Sequence, residues 1–234
     1  MAGFFPMFLR LSGRVVVVVG GGELALRTVD ALLRCDAEVR VISPTLAAGF
    51  QRLRGTPNLT LIRRRLQNGD LEDALLAMAL DEDAAVNLAA ARQGLEWNVL
   101  VSVADELALS DFIVPAFVHR GGLTLALHAG TANSTLSRRV GEDLERALGP
   151  EYGDFIAALE RGLARITGEV GPPEVRQSLF EHLVRSDLLE VVRRGGAAAA
   201  DAHIEALLRR AADPALKGAI GRNERGASPE STRP

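Results

Sequence analysis

The chain has 234 residues, 47% of them hydrophobic and only 4% aromatic, and a formal net charge of −3. That length suits one large domain, or a domain with a smaller companion, around a core of Leu, Val and Ala rather than rings. So small a charge argues against nucleic acid or a membrane surface as the main partner, and the single cysteine excludes an intramolecular disulfide or a cysteine-built zinc site.

The first fourteen residues lack the charged start and cleavage site of a signal peptide. VVVVV is far shorter than the ~20 apolar residues a bilayer span needs, so a cytoplasmic setting is expected. Arg14 to Gly20 is β-branched and ends in glycine, which predicts a buried parallel strand. Leu24, Ala25, Val29, Leu32 and Leu33 then recur at helical spacing, and Cys35 falls in that pattern as a buried, inert thiol. Glu38 to Ser43 predicts a second strand, stopped by Pro44. A helical stretch to about Arg54 follows, then a third strand over Asn58 to Leu66, whose Arg63 to Arg65 read as solvated edges. Leu75 to Leu80 predicts a fourth strand, Asp83 to Gly94 a helix, and Trp97 to Val103 a fifth strand. This alternation means βαβ units and a parallel sheet covered on both faces.

After residue 105 the rhythm changes. Phe112 to His119 and Leu123 to His128 flank Arg120-Gly121-Gly122, which predicts a β-hairpin. An unpaired hairpin invites pairing with a second subunit. The remainder is helical, with apolar stripes through Leu136, Val140 and Leu144, then through Phe155, Leu159 and Leu163. Further helices are expected over Pro172 to Arg194 and Ala197 to Ala212, broken at Gly195-Gly196. The tail is polar and rich in Pro, Gly and Ser, a composition that favours disorder. The expected fold class is α/β: a Rossmann-like parallel sheet, a β-hairpin dimerisation region and a C-terminal helical domain. The expected boundaries are 1–112, 113–149, 150–220 and a tail over 221–234.

Gly20, Gly22 and Ala25 fit G-x-G-x-x-G/A. The first glycine turns the chain, the second lets the backbone approach a pyrophosphate, and the small third position lets the helix pack close. The pattern follows a strand and opens a helix, the context that favours a dinucleotide cradle over a plain turn. Gly21, Glu23 and Leu24 complete it, with helix N-terminal N–H groups for the phosphates. The acid expected at the end of the second strand is missing; Ser43 and Pro44 stand there. No Arg is present to hold a 2′-phosphate, which favours NAD over NADP.

Five stretches resemble the precorrin-2 dehydrogenase / sirohydrochlorin ferrochelatase family of sirohaem synthesis: FPMFLRLSGRVVVVVGGGELALR, ISP, AMALDEDAAVN, VADELALSDFIVPA and HAGTANSTLSRR. The similarity covers about residues 4 to 150 and continues more loosely into EYGDF. It implies a homodimer, oxidation of precorrin-2 to sirohydrochlorin with NAD as hydride acceptor, and in some members insertion of a ferrous or cobaltous ion. ISP resembles a family segment that also lacks the acid. Asp105 resembles the family's essential aspartate. It follows the fifth strand's C-terminal end, where open α/β sheets place ligands, and a carboxylate there suits proton acceptance. His128, after the hairpin, is the second catalytic candidate.

A substrate bearing several carboxylates calls for Arg120, Arg138 and Arg139. Asn133 or Ser134 would cap the helix after HAGTANST and offer amides to a propionate. No resident metal is expected. The chain departs from the family pattern at Thr28, Asp81 (where Thr is usual), Ser102, Ala129, Gly130-Thr131 and Asn133-Ser134. Two other readings are a chelatase with a vestigial dinucleotide loop and a non-enzymatic NAD-sensing module.

Overall fold

The computed structural model describes residues 4–129 and 134–212. The chain divides into two compact units between Val114 and Pro115.

The first unit is a five-stranded parallel sheet in the order β3-β2-β1-β4-β5. Its strands are β1 (Val15–Val19), β2 (Glu38–Ile42), β3 (Leu59–Ile62), β4 (Leu76–Ala79) and β5 (Leu100–Val103). Five consecutive valines are tolerated in β1 because it is central and both faces are covered. Successive side chains point to opposite faces. Val16 and Val18 therefore join one apolar cluster with Ala25, Leu26, Val29 and Phe50. Val17 and Val19 join another with Ala77, Ala90 and Val101. Helix α1 (Glu23–Arg34) supplies the first cover and α2 (Ala84–Trp97) the second. Strand order reverses between β1 and β4, and this switch point is where such sheets open a crevice at their carboxyl ends.

In this unit the details depart from the sequence expectation in four places. Cys35 is exposed, because α1 ends at Arg34 and Cys35 is its C-cap. The stretch before Arg54 is a short 3-10 turn, Ala48–Leu53, seated by Phe50. The third strand stops at Ile62. Arg64 lies beyond it and donates to both oxygens of Asp70 at 2.7 Å, so it is not a solvated edge. Trp97 closes α2 rather than opening β5. Asn98, with φ 54, takes the left-handed C-cap conformation and its N–H bonds Gly94 O.

In the second unit, β6 (Ala116–Arg120) and β7 (Leu123–Leu127) form the expected antiparallel hairpin. Gly121 turns it with φ 57. Helix α3 (Ser134–Ala147) packs on β6 and α4 (Glu151–Glu169) on β7. Helices α4, α5 (Pro173–Arg185) and α6 (Leu188–Ala212) enclose Ala158, Ile166, Leu179, Leu183 and Ile204. Gly162 is needed in α4, since a Cβ there would sit 2.5 Å from Leu183 Cδ2. The helix expected to run to Arg194 breaks earlier, at Ser186. Its hydroxyl donates to Leu183 O at 2.7 Å and accepts from Leu188 N at 3.3 Å, ending one helix and starting the next. The break expected at Gly195-Gly196 is present: Gly196 has non-helical angles (φ 63, ψ −156) and divides α6 into two helical segments.

Candidate functional site

A cleft of about 400 Å³ opens at the switch point, over the carboxyl ends of β1, β2 and β4. That size is within the range of small-molecule sites. Three loops build it. Gly20 leaves β1 with φ 118, and a Cβ on it would meet Leu80 O at 2.6 Å. Gly21 presses on the loop after β2: its O accepts from Ala47 N at 2.8 Å, and a Cβ there would lie 2.0 Å from Thr45 O. These two glycines are therefore explained by the protein itself.

Gly22 is different. Its backbone (φ −76, ψ −173) suits any residue. The nearest protein atom to a Cβ there would be Glu82 Oε1, at 3.9 Å. Gly22 lines the cleft, so its missing side chain leaves room for a ligand rather than for protein. It is also the N-cap of α1, and no side chain caps that helix. The N–H groups of the first turn, with the helix's partial positive charge, are left for an anion. The residues present thus fit a dinucleotide pyrophosphate.

Of the cofactor residues expected from sequence, Gly21, Gly22, Glu23 and Ser43 meet in this cleft. Ser43 is buried, and its hydroxyl donates to Thr45 O at 2.7 Å, bracing the loop against Gly21. Ala25 is fully buried and lets α1 approach the sheet, as expected of the third small position. Leu24 and Pro44 are exposed. Sequence reasoning missed Thr45 to Ala47 and Leu80 to Glu82, which line the same cleft. Their signal was position: each follows a strand flanking the switch point. The loop after β4 is firmly set. Buried Asn87 accepts from Asp81 N at 3.0 Å and donates to Asp81 O at 2.9 Å. Asp83 caps α2 through Ala85 N at 2.9 Å.

Asp105 lies in the turn after β5, exposed, with φ 61. Its carboxylate has no partner among the described residues. Two later residues of VADELALSDFIVPA fasten the sheet's outer edge. Asp111 accepts from Val101 N at 2.9 Å and Ser110 from Val103 N at 2.9 Å, so Asp111 is a fastening for β5 rather than a solvated turn residue.

In the second unit, Arg120 is engaged at the end of α3. It donates to Leu148 O, to Glu145 O and to Glu145 Oε1, each at 3.0 Å, and to His119 O at 2.9 Å. Arg139 pairs with Asp143 at 3.4 Å on the exposed face of α3. Arg138 is exposed, with no partner among the described residues. His128 is exposed just beyond β7. Asn133 lies outside the described residues, and Ser134 begins α3. His119 Nδ1 is 2.9 Å from Thr124 Oγ1, a contact across the hairpin. No cluster of His, Cys, Asp or Glu among the described residues suits a metal, and no helix among them is long and apolar enough to cross a membrane.

Residues 7–116 match a family model described as "Putative NAD(P)-binding". The chain is 31% identical over 206 residues to siroheme synthase of Thiobacillus denitrificans, covering 88% of this chain and 43% of that protein. It is 32% identical over 205 residues to siroheme synthase of Xylella fastidiosa, covering 87% and 43%. The chain thus spans less than half the length of these relatives. A solved structure titled "SirC, precorrin-2 dehydrogenase" superposes with a TM-score of 0.75 at 24% identity, covering 87% of this chain and all of that one. Its likeness shows the fold.

Proposed function

We propose that the chain is a precorrin-2 dehydrogenase related to the siroheme synthases it resembles, and that it oxidises precorrin-2 to sirohydrochlorin with NAD as hydride acceptor. The observation that carries this reading is the uncapped start of α1 at Gly22, a glycine whose missing side chain leaves cleft space that no protein atom fills. NAD, when bound, supplies the hydride acceptor. The chain's own part is to hold the pyrophosphate on the first-turn N–H groups of α1 and to remove a proton from the macrocycle. Asp105 is the group we assign to that proton, as an exposed carboxylate with no partner among the described residues, at the carboxyl end of the sheet.

Arg138 and Arg139 are the guanidinium groups we assign to substrate carboxylates. Arg120 is the weakest of the three arginines for that task, because its donors already hold the end of α3. His128 and the backbone around Asn133 and Ser134 remain assigned to the substrate side on the family resemblance. Insertion of a ferrous or cobaltous ion into the product would release the pyrrole protons, and Asp105 would be their acceptor. We further propose a cytoplasmic homodimer, with the exposed hairpin strands as the pairing surface.

The test is turnover of precorrin-2, followed by the absorbance of sirohydrochlorin, with and without NAD and then with metal added. Conversion that requires NAD is expected. A protein that binds NAD but forms no sirohydrochlorin would overturn the dehydrogenase reading. Metal insertion without any NAD-dependent step would replace it with that of a chelatase.

A further inference from the structure

The cofactor cleft is lined by three acidic residues, Glu23, Asp81 and Glu82, and by no basic one among the described residues. Glu82 overhangs the cradle itself, with Oε1 3.9 Å from where a Cβ on Gly22 would lie. Asp81 is fixed in place by Asn87 at both its N–H and its carbonyl. Glu23 stands in the first turn of α1, where it offsets part of the helix's positive end. The favourable field for an anion in this lining is that of the α1 N-terminus. It acts on the pyrophosphate, which every nicotinamide coenzyme carries. Whatever further negative charge a coenzyme brings meets these carboxylates.

We infer that this acidic lining makes the site a charge filter: it selects the least negative coenzyme, oxidised NAD, with Glu82 as the chief discriminating residue. The inference rests on the assignment of the cleft to a dinucleotide. Reduction of the nicotinamide ring removes its positive charge, so NADH is one unit more negative than NAD. A 2′-phosphate adds roughly 1.5 to 2 further negative charges. Affinity therefore falls in the order NAD, NADH, NADP, NADPH. For a dehydrogenase this has a use, since the oxidised coenzyme is drawn in and the reduced one is released. It also gives the chain a means of rejecting NADP without the acid that usually ends the second strand. The discriminating charges come from the β4–α2 loop and the first turn of α1 instead.

The test is calorimetric titration of the whole chain with each of the four coenzymes at low ionic strength, for wild type, Glu82→Gln and Glu23→Gln. Glu82→Gln keeps the side chain's size, and the residue is exposed, so the fold is preserved. Ratios between coenzymes within one protein also contain differences of ring shape. The change in those ratios on substitution isolates charge. Glu82→Gln is expected to narrow the preference for NAD over NADH by roughly 3- to 10-fold, and that over NADP by more, with a smaller effect from Glu23→Gln. Raising the salt to about 1 M should narrow the wild-type ratios in the same sense. If NAD binds and Glu82→Gln leaves every ratio unchanged, the charge filter is wrong while the dinucleotide site stands. If none of the four binds the wild type, both fall together.

Discussion

Gly21 and Gly22 are adjacent and chemically identical, yet the structure gives them opposite jobs. An Ala at 21 places its Cβ 2.0 Å from Thr45 O, so the loop after β2 has to move. Gly21→Ala is expected to destabilise the first unit by about 1–3 kcal/mol, read as a lowered thermal midpoint. Gly22→Ala meets no protein atom closer than 3.9 Å in an ordinary backbone conformation. It should leave the midpoint within about a degree while weakening NAD at least tenfold by calorimetry; unchanged affinity would remove Gly22 from the cradle. Asp105 needs similar care. Its φ of 61 is unfavourable for Ala by about 1–2 kcal/mol, whereas Asn accepts it. Asp105→Asn is therefore the informative variant, with turnover expected to fall about 10²- to 10⁴-fold and NAD affinity unchanged.

The loop between β3 and β4 shows how an element's end is set by charge. Arg64 grips Asp70 with both guanidinium nitrogens, and Arg40 of β2 grips Asp73 in the same way. The Arg64 guanidinium holds the Asp70 carboxyl below its ordinary value of 3.8, and the Arg40 guanidinium does the same to Asp73. A depressed carboxyl contributes stability that is complete above its unfolded value and is lost as pH falls through the folded one. Both pairs are partly in water, so the contribution is modest. Asp70→Asn should lower the midpoint by about 1–4 °C at neutral pH, and the gap from wild type should close as pH falls below the ordinary carboxyl range. A gap that widens on acidification would contradict the assignment. At the opposite edge of the sheet, Ser110 and Asp111 hold the outer N–H groups of β5. Part of the most family-like stretch is thus edge protection rather than chemistry.

Two units, each with its own apolar core, make up the molecule. The β6–β7 hairpin is a two-stranded sheet on its own, and such a sheet depends on packing against other elements. Helices α3 and α4 provide that packing, but Phe117 of β6 stays 45% exposed. In sedimentation experiments the chain is expected to behave as a dimer, and Phe117→Lys to shift it towards monomer. A wild type that sediments as a monomer at all concentrations would end the pairing proposal.

Much of this was legible in the residues themselves. The valine run, the three glycines and the alternation of short apolar runs with helical stripes determine a parallel sheet with a glycine turn at the end of its central strand. Those signals are local and periodic, and the hairpin glycines are equally local. Element ends were less legible. Asn98 in the left-handed conformation ends α2 past Trp97, and Ser186 splits α5 from α6, because a single residue's hydrogen bonds override the surrounding pattern. Tertiary structure alone decided which loops share the cleft. Val19, Ile42 and Ala79 end strands far apart in the chain, and only the order β2-β1-β4 sets their loops side by side. The carboxylate of Glu82 comes to the glycine turn by that route, since strand order is a property of long-range pairing and leaves no mark on local spacing.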